Sequence, residues 1–175
     1  MRGIVVVAAI GVLLSSGMAN AQEPQPGPEH QRLGFFVGTW KADVAFKESP
    51  LRPAGNEVWT LKFEWFPGKF HLVCHAELEG SSGKTAELGF MGYDSEKRLY
   101  FFDRITSEGL KVDLRAPAER GIWRFAGELP SGGKPIGLRV VFTEESASAF
   151  KYTVEVSVVE GTWVLAAAVN ATKVQ

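Results

Sequence analysis

The chain has one cysteine, three histidines, 19 basic against 20 acidic residues, and no apolar run as long as a membrane-spanning helix. Each shortage excludes something. A single thiol, Cys74, leaves no partner for an internal disulfide and reads first as a small buried apolar residue. A net charge of −1 gives no broad attraction to nucleic acid or anionic lipid. No basic cluster and no interleaving of basic and aromatic residues overrides it. The glycines sit at turns, with neither a phosphate-cradling loop nor a Gly-x-Ser-x-Gly elbow. No catalytic residue, metal ligand set or cofactor is read from these patterns.

What is present begins with a leader. Met1-Arg2 is a short positive start, Gly3 to Leu14 is apolar but shorter than the ~20 residues a membrane helix needs, and Ala19-Asn20-Ala21 fits a small-x-small cleavage site. Residues 1–21 are therefore expected to be a cleaved signal peptide and the protein periplasmic or secreted, with no stable membrane insertion once it is removed. Loss of Arg2 takes the net charge from −1 to −2. Residues 22–27, rich in Pro and Gln, read as a flexible leader, and residues 28–175 as a single domain.

That domain opens with a short helix over Pro28 to Val37. Pro and Glu29 suit its first turn, and Leu33, Phe36 and Val37 share one face. So short a helix needs something to dock on, and the open end of a barrel is the expected site. From Trp40 onward apolar and polar residues alternate, as in Trp59-Thr60-Leu61-Lys62-Phe63-Glu64-Trp65. Period two marks strands with one buried face. Ten strands are predicted, near 39–46, 56–65, 69–79, 85–93, 98–104, 110–115, 122–128, 135–143, 149–158 and 162–172. The connections carry turn residues, among them Pro67-Gly68, Tyr93-Asp94-Ser95 and Glu160-Gly161. Their hairpin length favours a closed antiparallel up-and-down barrel. The longest, Lys47 to Gly55, holds Pro50 and Pro53 and could be a lid over the mouth or a plain surface loop.

Several short motifs lie along the chain: Pro26-Gly27-Pro28-Glu29-His30, Phe36-Val37-Gly38-Thr39-Trp40, Glu64-Trp65-Phe66-Pro67-Gly68, Val73-Cys74-His75, Met91-Gly92-Tyr93-Asp94, Gly161-Thr162-Trp163 and Ala171-Thr172-Lys173. In these the chain resembles an exported, mostly bacterial family known only as a domain of unknown function, family 1579. The resemblance implies a lipocalin-like (calycin-like) barrel and no established activity. Small barrels of the nitrobindin type hold haem through a histidine late in the chain. Here no histidine follows His75, which counts against haem.

Of the histidines, His71 and His75 lie four apart in one predicted strand, about 13 Å at ~3.3 Å per residue, so one metal ion with bonds of ~2 Å cannot bridge them. Both are expected on the outer face with Glu77, opposite Phe70, Leu72, Cys74, Ala76 and Leu78. Asp103 and Arg104 end a strand, and alternation turns one of them inward. An inward Arg104 could receive a carboxylate head group in a two-pronged contact. The alternative is a charge at the rim, already paired or hydrated. The five tryptophans and their aromatic neighbours either fill the core or line a pocket. The candidate pocket residues are Trp59, Phe63, Trp65, Phe101, Arg104, Trp123 and Tyr152, with Trp40 packed at the closed end.

The leading expectation is an exported binding protein that holds a small hydrophobic or amphipathic molecule inside the barrel. One rival is an enzyme acting on such a ligand through an inward Asp103, Tyr152 or His75. The other is a filled barrel without ligand, whose outer face (His71, His75, Arg139, Lys151) would meet a partner. A binding role ranks above a catalytic one, and the oligomeric state is open.

Overall fold

The computed structural model describes residues 24–80, 83–119 and 121–174. The signal peptide expected over residues 1–21 lies outside the described residues. A helix, α1, spans Pro28–Arg32. It is followed by ten strands: β1 Gly38–Phe46, β2 Gly55–Trp65, β3 His71–Gly80, β4 Gly83–Asp94, β5 Leu99–Thr106, β6 Lys111–Pro117, β7 Ile122–Leu129, β8 Ile136–Ser146, β9 Ala149–Val159 and β10 Thr162–Val174. Each strand pairs antiparallel with its neighbours in sequence, and β1 pairs with β10 to close the barrel. Closure leaves no edge strand to pair with another chain. Burial alternates along the strands, most plainly in Lys111–Pro117, where Val112, Leu114 and Ala116 are buried between exposed neighbours.

The ten expected strands are all present, and their boundaries shift where turns carry unusual backbone. Gly68 and Lys69 both have positive φ, and the Lys69 N–H donates to the Phe66 carbonyl at 2.9 Å. That turn delays β3 from residue 69 to His71. At the β4–β5 turn Asp94 accepts from the N–H groups of Glu96 and Lys97 at 3.1 and 3.0 Å, and Arg98 takes a positive φ. The strand therefore starts at Leu99, one residue later than its pattern suggests.

The single helix expected over Pro28 to Val37 is shorter and tightens. Gly27 caps it, and the Gly27 N–H donates to His30 Nδ1 at 3.2 Å. After Arg32 the chain narrows to a 3-10 turn over Leu33–Phe35. In such a turn residues three apart eclipse, and Leu33 and Phe36 both become fully buried. Val37 is only half-buried. The Trp40 indole N–H donates to the Phe36 carbonyl at 2.7 Å, fastening the turn to β1. Tyr100 fastens α1 by donating its hydroxyl to the Glu29 carbonyl at 3.1 Å.

This segment plugs one end of the barrel. The Phe36 ring meets Trp123 at 5.1 Å, Phe63 at 5.6 Å, Phe142 at 5.7 Å and Phe150 at 5.8 Å between centroids. Trp40 packs on Phe150 at 4.6 Å. Full burial of each such side chain contributes about 1.5–3 kcal/mol, and edge-on aromatic pairs add about 0.5–1.5 kcal/mol. Outside the plug, the Arg32 guanidinium covers Trp123 at 4.1 Å.

A candidate ligand cavity in the mouth half of the barrel

The other half of the barrel is hollow. A cavity of about 260 Å³ lies between the aromatic layer and the mouth, and every strand contributes to its wall. Its floor is made by Phe63, Phe102, Phe142 and Tyr152, and its sides by small and aliphatic residues such as Leu61, Ala76, Val112, Leu138, Val140 and Ala167. The Phe142 and Tyr152 rings lie 4.7 Å apart, tilted by 34°.

The loop over residues 47–54 covers part of the mouth. Ser49, Leu51 and Arg52 face the cavity. Lys47 donates its N–H to the Ala166 carbonyl at 2.9 Å, and the Ser49 N–H donates to the Arg52 carbonyl at 3.1 Å. Arg52 lies over the Phe46 ring at 3.5 Å and pairs with Glu57 at 2.8 Å. The other oxygen of Glu57 accepts from the Trp59 indole at 2.8 Å. One carboxylate thus holds both the loop and the rim tryptophan.

The polar content of the wall is concentrated. Arg104 points inward and donates from Nη1 to Glu87 Oε2 at 3.0 Å. The two side chains are 22% and 18% exposed. Glu87, Gly89 and Met91 share the inner phase of β4, and Gly89 lies between Cys74 on β3 and Arg104 on β5 in the ladder. A methyl group at Gly89 would sit 3.2 Å from Arg104 Cγ and 2.8 Å from the Phe102 ring, so the glycine opens the lane in which the arginine lies. Burial pushes the Cys74 thiol up to about 12, with Arg104 opposing and Glu87 reinforcing the shift. Cys74 is therefore a neutral, unreactive thiol at neutral pH. Burial likewise raises the Tyr152 phenol, which stays protonated and able to donate.

The candidate residues divide between three places. Trp59, Phe63, Arg104 and Tyr152 line the cavity. Trp123 is buried in the plug against Phe36 and Tyr100, and its indole donates to Glu144 at 2.7 Å. Trp65, three pairs beyond the mouth-side Trp59 along β2, reaches the plug beside Gly34. Phe101 is on the outer face, where it meets His71 at 5.7 Å and Arg115 at 5.7 Å. Phe101 and Arg104 are three apart on one strand, so alternation forbids both from facing in. Asp103 also faces out and pairs with Arg115. His75 is exposed. Neither can act on a molecule inside the barrel. Trp40 is fully buried at the closed end, as its position beside the helix suggests. Among the described residues no cluster of three or more His, Cys, Asp or Glu is placed to hold a metal ion.

Glu87 was hidden from a reading of alternation. In Glu87-Leu88-Gly89-Phe90-Met91 both phases are apolar, because Phe90 is 44% exposed on the outside. A strand greasy on both faces has no legible inner phase. The usable signal was the pairing rule itself. An inward Arg104 in an apolar wall requires an acid on the adjacent strand.

The sequence model of a family described as "Protein of unknown function (DUF1579)" matches residues 25–173. No curated protein matches the chain. Among solved structures it is similar to the crystal structure of Rv2717c from M. tuberculosis, with a TM-score of 0.67 and 14% identity, over 86% of this chain and 100% of that one. At that identity the likeness speaks for the barrel fold alone.

Proposed function

Because the chain belongs to the DUF1579 family of proteins of unknown function, its role has to be argued from its own cavity, and we propose that it is an exported binding protein for a small, mostly apolar molecule. The observation that carries this is the hollow, apolar mouth half of a barrel whose other half is fully packed. Natural interiors are packed to the density of organic crystals. A void of about 260 Å³ in such a wall is large against what packing ordinarily leaves. An apolar cavity of about 150 Å³ stays dry and takes benzene, so this one suits a body of roughly ten heavy atoms. Export rests on the leader and its cleavage site at residues 19–21. The latch of Arg52, Glu57 and Trp59 gives the ligand a covered mouth rather than an open dish.

The test is a native mass spectrum of the protein purified from the periplasm of an expressing cell without lipid stripping. The expected result is an adduct on the order of 150 Da, lost on denaturation and missing from an Ala76→Leu variant that fills the cavity. An adduct-free wild-type protein that also fails to take up naphthalene would instead describe a ligand-free structural barrel.

A further inference from the structure

The polar corner of the cavity carries more information than its apolar wall. It rests on the reading of the cavity as a ligand site, and it concerns what the ligand's polar end is. Three groups line the same cavity of about 260 Å³. The Arg104 guanidinium is already engaged by Glu87 at 3.0 Å. The Arg104 Nε–H is buried with no acceptor among the described residues. The Tyr152 hydroxyl lines the cavity, makes no hydrogen bond among the described residues, and feels the charges of both Arg104 and Glu87. Buried donors without acceptors are rare in native folds, so the orphaned Arg104 Nε–H, together with a phenol that faces the same cavity without a partner among the described residues, points to an acceptor brought from outside.

We propose that the ligand carries an uncharged oxygen, of the amide or ketone kind, which accepts a hydrogen bond from the Tyr152 hydroxyl in the cavity that also holds the closed Arg104–Glu87 pair, and that carboxylates of the same size are rejected. The rejection follows from the pair. A second carboxylate must either share the guanidinium with Glu87, placing two anions together in an apolar wall, or displace Glu87 and leave it buried without a partner. A neutral carbonyl meets neither penalty. It takes the free phenol proton and leaves the ion pair intact. An inward Arg104 alone would suit a fatty acid, but Glu87 at its side changes the class of molecule that fits.

Calorimetric titration of the full mature protein with octanamide, octanoate and naphthalene at neutral pH tests this. The first two match in size and differ in charge, and the third has no polar end. Octanamide is expected to bind about tenfold or more tighter than octanoate. Tyr152→Phe should weaken octanamide by about 3- to 10-fold and leave naphthalene unchanged, which also verifies that the variant's cavity is folded. Glu87→Gln, by freeing the guanidinium, should narrow or reverse the gap between amide and acid. Octanoate binding as tightly as octanamide to the wild type would overturn the proposal while leaving the cavity reading in place. So would octanamide binding that ignores Tyr152→Phe. If none of the three binds, the cavity reading falls with it.

Discussion

The helix end and the mouth end of this barrel are built by the same ten strands, yet they are finished differently. At the helix end large rings, Trp40, Tyr100, Trp123 and Phe150, point inward with small partners such as Ala116 and Ala171 between them, and Leu33 and Phe36 close the end. At the mouth end the inward positions carry Ala76, Val112, Val140, Ala166 and Ala167. Moving along β2 from Trp65 to Phe63 to Leu61, or along β9 from Phe150 to Tyr152 to Val154, the inward side chains pass from plug to cavity wall. The rings inserted at the helix end, Phe36 foremost, separate the packed half from the hollow one. The polar groups follow the same division. Plug donors find acceptors within the protein, from Trp40 to the Phe36 carbonyl, from Tyr100 to the Glu29 carbonyl and from Trp123 to the Glu144 carboxylate. In the mouth half the Tyr152 hydroxyl is left without a protein acceptor among the described residues.

That contrast can be broken most severely at the plug. Phe36→Ala should destabilise the fold by about 3–5 kcal/mol in urea unfolding, because the five aromatic rings around Phe36 cannot collapse into the space left. Equal additions of volume should then separate the halves. Ala171→Leu, at a fully packed position paired with Ala42, should lose about 1–3 kcal/mol by overpacking. Ala76→Leu, which grows into the cavity, should change stability by less than about 1 kcal/mol while abolishing naphthalene uptake. Similar losses from both variants would contradict a hollow mouth half.

A smaller effect is expected at the lid. Arg52→Ala removes the pair with Glu57 and the cover over Phe46. It should raise the ligand off-rate about 3- to 10-fold in stopped-flow displacement. Stability should hardly move, since Arg52 is partly exposed and such pairs contribute about 0–1 kcal/mol.

The smallest effect belongs to the helix end. Burial, helped by the nearby His30, lowers the pKa of His71 below its ordinary value. The unfolded chain therefore binds the proton more readily than the fold does, so the His71 contribution is present above about pH 6.5 and is lost as the pH falls. The fall should be slight, because His71 is only half-buried, and His71→Gln should flatten it in melts taken between pH 5 and 7.5. Ligand affinity over that range should not follow it, as His71 lies outside the barrel.

The fold was legible because alternation was strong and the turns were short. The docking of the N-terminal segment could be read from Leu33, Phe36 and Val37, although the helix stops at Arg32 and Val37 is only half-buried. The site was less legible, for three separable reasons. Phase failed in β4 and β5, where Leu88, Phe90 and Phe101 make the outer face as apolar as the inner one. Height along the barrel has no sequence signature. Trp59 and Trp65 share a phase, and only the closed register tells which lies at the mouth and which at the plug. Pairing across strands was invisible, so Glu87 and Glu57, the two acids that organise the cavity and its lid, did not stand out among the 20 acidic residues.

The most direct test of the contrast is a crystal of the protein pressurised with xenon. Xenon settles in dry apolar cavities and is refused by packed interiors. The expected result is xenon density between Leu61, Phe102 and Leu138 in the mouth half and none around Phe36. Density at the helix end, or none anywhere in the barrel, would contradict the division into a filled half and a hollow one.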